Sequence, residues 1–161
     1  MANENDYADD EDLMVYLDDA RGLAARVVGG NATDLHILVA GQADPAPVSR
    51  ALEYPAFVAM KNQQDAKGMT PLMYAATQLK LDIINRLSGT QTGLKNNEGK
   101  TALDLFDEAR NADQEALEGV SPEDLAAARR VLGAAEGGRR KKKTRARQPR
   151  KTRRRQTLRR R

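Results

Sequence analysis

Apolar residues recur at helical spacing over most of the first 136 positions of this chain. Leu13, Tyr16, Leu17, Ala20, Ala24 and Val27 make one stripe, which predicts an N-terminal helical cap over 10–28, unbroken or jointed near Gly22. Acids crowd its start and Arg21 and Arg26 come late, as suits the helix dipole, and Gly29-Gly30 stops it. Leu72, Ala75 and Ala76 give a small apolar face behind Thr70 and Pro71, a capping residue and a proline at the first helical position. Ile83, Ile84 and Leu87 predict a second helix over 81–87. Leu125, Ala128 and Leu132 predict a last one, opened by the Ser121/Asp124 capping box and Pro122 and closed by Gly137-Gly138.

The pattern repeats. Gly68-Met69-Thr70-Pro71-Leu72 is followed thirty-one positions later (68 to 99) by Gly99-Lys100-Thr101-Ala102-Leu103. A degraded copy, Asn31-Ala32-Thr33-Asp34-Leu35-His36, stands thirty-seven positions earlier (33 to 70). Repeats of this length are supersecondary units that bury their apolar faces only by stacking.

The segment Thr70-Pro71-Leu72-Met73-Tyr74-Ala75-Ala76 resembles the T-P-L-x-x-A-A signature of the ankyrin-repeat family, and Thr101-Ala102-Leu103-Asp104-Leu105 resembles its T-A-L-D-L variant. The resemblance is strongest over 65–106 and weaker over 31–64 and 107–136. It implies an all-α fold, a short solenoid of three to four helix-turn-helix units with an N-terminal helical cap, over 10–136. Within it, 47–53 is expected to be the short second helix of the first copy and 54–64 an expanded loop. A shortened loop is expected at 88–95. The glycine that often separates the two helices is replaced near Leu79. His36 falls where the family often has a histidine, hydrogen-bonded within the turn. Phe106 stands where the family usually has alanine, which implies a wider end to the stack.

The formal net charge of +4 conceals a division. Residues 139–161 hold fifteen of the 27 Lys and Arg and no acid, leaving twelve bases against all 23 acids over 1–138, a net of −11. Within the body, residues 1–20 carry eight acids and no base. The organisation expected is a disordered acidic head at 1–9, the repeat domain at 10–136 and a disordered basic tail at 137–161. The tail cannot bury enough apolar surface to offset chain entropy.

The polycation consists of Arg139, Arg140, Lys141, Lys142, Lys143, Arg145, Arg147, Arg150, Lys151, Arg153, Arg154, Arg155, Arg159, Arg160 and Arg161. Such a run suits nucleic-acid phosphate, an acidic protein or an anionic membrane, and it resembles a nuclear or nucleolar import signal read by an import receptor. The last aromatic in the chain is Phe106, so RNA or DNA binding by the tail would be electrostatic and indifferent to sequence.

Nothing in the sequence asks for catalysis. There is no Cys and one His, which excludes a Cys–His dyad and a Cys-based or His-rich metal site. No phosphate-cradling motif is present. No cofactor and no metal is expected. The longest stretch free of Asp, Glu, Lys and Arg is 68–79, too short to span a membrane, and no secretory signal is visible. A monomer of the nucleus or cytoplasm is expected.

Ankyrin repeats bind proteins through exposed turn tips and the concave face of their first helices. The resemblance carries that role to Ala66, Lys67 and Met69 in one turn, to Asn97, Glu98 and Lys100 in the next, and to Thr77 and Gln78 on the groove side. Met69 is an apolar residue at a tip that is normally wet. The partner itself is not named by a scaffold.

Overall fold

The computed structural model of the chain describes residues 10–42, 44–113 and 115–133. The expected head at 1–9, the tail at 137–161 and Gly137-Gly138 lie outside the described residues. Among the described residues the fold is all-helical, with eight α-helices and no strand: α1 (Glu11–Ala24), α2 (Asp34–Gly41), α3 (Pro45–Ala51), α4 (Pro55–Met60), α5 (Pro71–Thr77), α6 (Leu81–Arg86), α7 (Ala102–Ala112) and α8 (Pro122–Gly133). A single 3-10 turn, Glu115–Leu117, joins the last two.

Several starts are written locally. Thr70 Oγ1 accepts from Met73 N, and Thr101 and Asp104 complete a reciprocal capping box on α7. Prolines stand in the first turn of α3, α4 and α5, where a missing N–H costs nothing. The exit of α5 departs from habit. Lys80 N donates to Ala75 O and Leu79 N to Ala76 O, the paired closure in which the intervening residue turns left-handed. That residue is Leu79, at φ 53°, where glycine is usual. A branched side chain there costs about 1–2 kcal/mol.

The helices pack in two rows. α1 lies on α2, α2 on α5 and α5 on α7; behind them α3 lies on α6 and α6 on α8. One apolar core runs through both rows, from Leu13 and Leu17 through Leu38, Leu72 and Ile84 to Phe106 and Leu132. Burying a side chain of this size contributes about 1.5–3 kcal/mol. α1 is also pinned at its start. Asp10 caps it through Leu13 N and accepts from Arg50 Nε at 2.6 Å and Tyr54 OH at 2.7 Å. The Arg50 and Tyr54 hydrogen bonds pull its carboxyl down to about 2.

Several expectations are corrected. α1 runs unbroken through Gly22, one of the two forms expected, but it ends at Ala24 rather than 28; Tyr16 is exposed on it and Val27 is exposed in the turn beyond it. The first copy's second helix is Pro45–Ala51, not 47–53, because Asp44 caps it and Pro45 starts it. The expected loop at 54–64 holds α4, which buries Phe57. Leu125 is only half-buried on α8, while Ala128 and Leu132 are buried.

Candidate interaction surface

Two turns of the same construction stand in front of α5 and α7. In the first, Asp65 N donates to Met69 O and Gly68 N to Asp65 O; in the second, Asn96 N donates to Lys100 O and Gly99 N to Asn96 O. Gly68 (φ 71°) and Gly99 (φ 79°) take the left-handed conformation each turn requires. The opening side chain holds the loop in both. Asp65 Oδ1 accepts from Lys67 N and Met69 N at 2.9 Å. Asn96 Oδ1 accepts from Glu98 N at 3.0 Å and Lys100 N at 2.9 Å.

Successive turns are joined through their backbones. Ala66 N donates to Gly30 O at 2.7 Å, and Asn97 N donates to Lys67 O at 3.1 Å. Donors and acceptors therefore advance by the two intervals of the sequence repeat, Ala66 to Asn97 by thirty-one and Gly30 to Lys67 by thirty-seven. Asn97 Nδ2 adds a bond to Ala66 O at 2.9 Å.

Beneath the first turn lies a buried polar node. Asp65 Oδ2 accepts from Gly29 N at 2.7 Å and Tyr74 OH at 2.5 Å. Burial alone would raise the Asp65 carboxyl, but the hydrogen bonds from Tyr74, Met69, Gly29 and Lys67 hold it below the usual carboxylate range. Burial and the Asp65 carboxylate push the Tyr74 hydroxyl up. His36 extends the node. Its Nδ1 accepts from Thr33 N at 3.1 Å, so Nδ1 is unprotonated and Nε2–H donates to Met69 O at 3.0 Å. Burial lowers the His36 pKa. The bond thus reaches the neighbouring turn as well as its own, a link the sequence did not suggest.

A groove of about 430 Å³ opens between the turns. Ala66, Lys67, Met69, Thr77, Asn97 and Glu98 all border it, so six of the eight expected protein-contact residues come together. Val27, Tyr74 and Asn96 complete its wall. Ala66, Lys67, Asn97 and Glu98 are exposed at the rim. Met69 is buried, 8% exposed, under its own turn with Asn96 Nδ2 3.6 Å from its sulfur, so it lines the floor of the groove rather than its rim. Gln78 and Lys100 do not border the groove. Gln78 Nε2 donates to Ala40 O, and Lys100 pairs with Glu98 at 3.2 Å and Glu108 at 2.7 Å. Lys67 Nζ donates to Val27 O at 2.5 Å, which closes one end. The fifteen basic residues from Arg139 to Arg161 lie outside the described residues.

A second inter-unit bond went unseen in the sequence. Lys80 Nζ donates to Val39 O at 2.8 Å, Ala40 O at 3.2 Å and Gln42 O at 2.5 Å, so it caps the C-terminal end of α2 from the following helix pair. Burial pushes its ammonium down to about 8. Its only sequence signal was a lysine at the start of a helix, where the dipole disfavours it.

Among the described residues no cluster of His, Asp and Glu could hold a metal ion, and no helix is long and apolar enough to cross a membrane. Comparison with protein-family models, curated proteins and solved structures finds no match to the chain.

Proposed function

We propose that the chain is a non-enzymatic interaction adaptor of the ankyrin-repeat type, whose solenoid docks a protein in the groove between the turns and whose basic C-terminal segment targets or anchors the complex. The observation that carries this reading is the ladder of equivalent turns. Backbone donors and acceptors step along it at the sequence's own intervals, and the residues a repeat protein would use for contact line one shallow groove. The two rows of helices, first helices in front and second helices behind, fit the same reading. The groove's wall includes Val27 and Tyr74, with Lys67, Asn97 and Glu98 at the rim, the mixture expected of a protein contact. Work is located in the nucleus or cytoplasm.

The test is a capture experiment with and without nuclease, on three forms: the full chain, Ala66→Arg/Asn97→Arg, and a chain ending at 138. On the adaptor reading, a nuclease-resistant protein partner survives loss of the tail and is lost in the groove variant, whose melting temperature stays near that of the parent. Loss of every partner with the tail alone would overturn it.

The segregation of charge favours a second reading, a sequence-nonspecific nucleic-acid-binding or packaging protein acting mainly through the tail. If about five to eight phosphates are engaged, log K against log salt has a slope of about −4 to −7. A flat dependence, or strong preference for one sequence, would rule that reading out.

A further inference from the structure

We propose that the chain self-associates head to head through the outward face of α1, as a two-fold antiparallel dimer. A monomer is what the sequence leads one to expect; the surface of α1 argues otherwise. The helix buries Leu13, Leu17, Ala20 and Ala24 against the rest of the stack. Away from that stripe it exposes Val15 (59%), Tyr16 (41%) and Leu23 (67%). Val15 and Leu23 stand eight residues apart, about 12 Å along the axis.

Gly22 lies on the same face. A Cβ added there would meet nothing within 4 Å, so no packing in its own chain calls for glycine. Glycine weakens a helix interior relative to alanine, and here the residue opens a notch beside exposed apolar side chains. A facing helix can use such a notch.

The order of residues on this face reads as its own complement. A two-fold axis through Asp19 sets Val15 against the partner's Leu23 and Tyr16 against the partner's Gly22. It also sets Asp12 against the partner's Arg26, which stands in the turn just past α1. Arg26 has no ionic partner in its own chain among the described residues. The Asp12 carboxylate is 75% exposed and reaches Arg50 only at 3.8 Å. In an isologous interface each of these pairs is made twice. The two Asp19 side chains meet at the axis and limit the affinity. With one helix from each subunit the interface is small, so association is weak and reversible. Each subunit contributes one basic segment to the dimer. On the reading of the tail given above, that makes the assembly bivalent for a polyanion.

The experiment is sedimentation of the nuclease-treated full chain from micromolar to near-millimolar concentration. A reversible monomer–dimer equilibrium is expected. Arg26→Asp should weaken it about tenfold, because two attractive pairs become repulsive, and Asp12→Arg/Arg26→Asp should restore it to within about threefold. Asp19→Asn should tighten it. Gly22→Gln should abolish the dimer while leaving the melting temperature unchanged or higher, which separates a lost contact from a damaged fold. A monomer at every concentration, or a dimer indifferent to Arg26→Asp and Gly22→Gln, would overturn the proposal. Failure of the double charge reversal to restore association would overturn the antiparallel arrangement. None of these outcomes bears on protein capture by the groove.

Discussion

Asp65 and Asn96 open equivalent turns, and each uses Oδ1 to accept two backbone N–H groups. They part at the second side-chain atom. Asp65 Oδ2 accepts from Gly29 N, in the segment before α2, and from Tyr74 OH, on α5. Asn96 has no such donors to receive; its Nδ2 points to the sulfur of Met69. The glycines differ in the same way. A Cβ on Gly68 would come 2.6 Å from Asn97 Oδ1 and 2.8 Å from Asn97 N, whereas a Cβ on Gly99 would meet nothing within 4 Å. Both turns are bonded to the turn before them, but only the Asp65 carboxylate also ties the segment before α2 to a side chain of α5. A repeated backbone frame needs one oxygen, which leaves the second atom free to specialise.

The largest expected effect comes from Asp65→Asn. An amide cannot accept from Gly29 N and Tyr74 OH while presenting its NH2 to them, so a donor is orphaned. The cost is about 2–3 kcal/mol, read by denaturant unfolding. Because the folded Asp65 pKa lies below its unfolded value, its contribution is complete above about pH 4 and is lost as pH falls through the folded value. That acid limb should be shallower in the variant. Equal stability of variant and parent would remove the junction role.

Gly68→Ala and Gly99→Ala sharpen the contrast between the turns. Both pay the left-handed penalty of about 1–2 kcal/mol. Only the first also collides with Asn97, so it should cost up to about 1 kcal/mol more. Equal losses would mean that the neighbouring turn yields freely.

Asn96→Asp is the converse of the first substitution and a smaller change. Oδ1 keeps both N–H donors, and the other oxygen faces a thioether with nothing to donate. About 1 kcal/mol is expected. A loss as large as that of Asp65→Asn would make the two positions equivalent after all.

The smallest effect is a pH dependence from His36. Its pKa is lowered in the fold, so the unfolded chain takes the proton first. Stability from this group is intact above about pH 6.5 and declines as pH falls below it. Protonating Nδ1 would set an N–H against Thr33 N–H. His36→Gln should flatten that part of the stability profile, and an unchanged profile would exclude the histidine as its source.

What could be read in the sequence was local. Thr70 with Pro71, and Ser121 with Pro122 and Asp124, announce helix starts through neighbours one to three residues away, and each start is found there. Helix α4 was missed because six residues give too little periodicity to separate from a loop, although Pro55 follows Tyr54 in the first-turn position. Tyr16 is at the edge of the α1 stripe and Val27 is past its end, which periodicity alone does not distinguish from its buried centre. Six of the residues that the family resemblance singled out border one groove, whose shape no local pattern gives. The place of Met69 under its turn involves Asn96, twenty-seven positions on. The bonds of Gly29 to Asp65 and of Lys80 to α2 cross 36 to 41 positions, beyond any window of pattern reading.

Lys80 carries a consequence for synthesis. A chain leaving the ribosome delivers α2 well before the lysine whose ammonium closes its last carbonyls, about forty positions later. Until then the nascent α2 ends in open acceptors, and Gly29 N and His36 Nε2 likewise wait for Asp65 and Met69 in the later segment. The first half of the chain therefore matures only when the following helix pair emerges, and the order of translation sets the order of assembly.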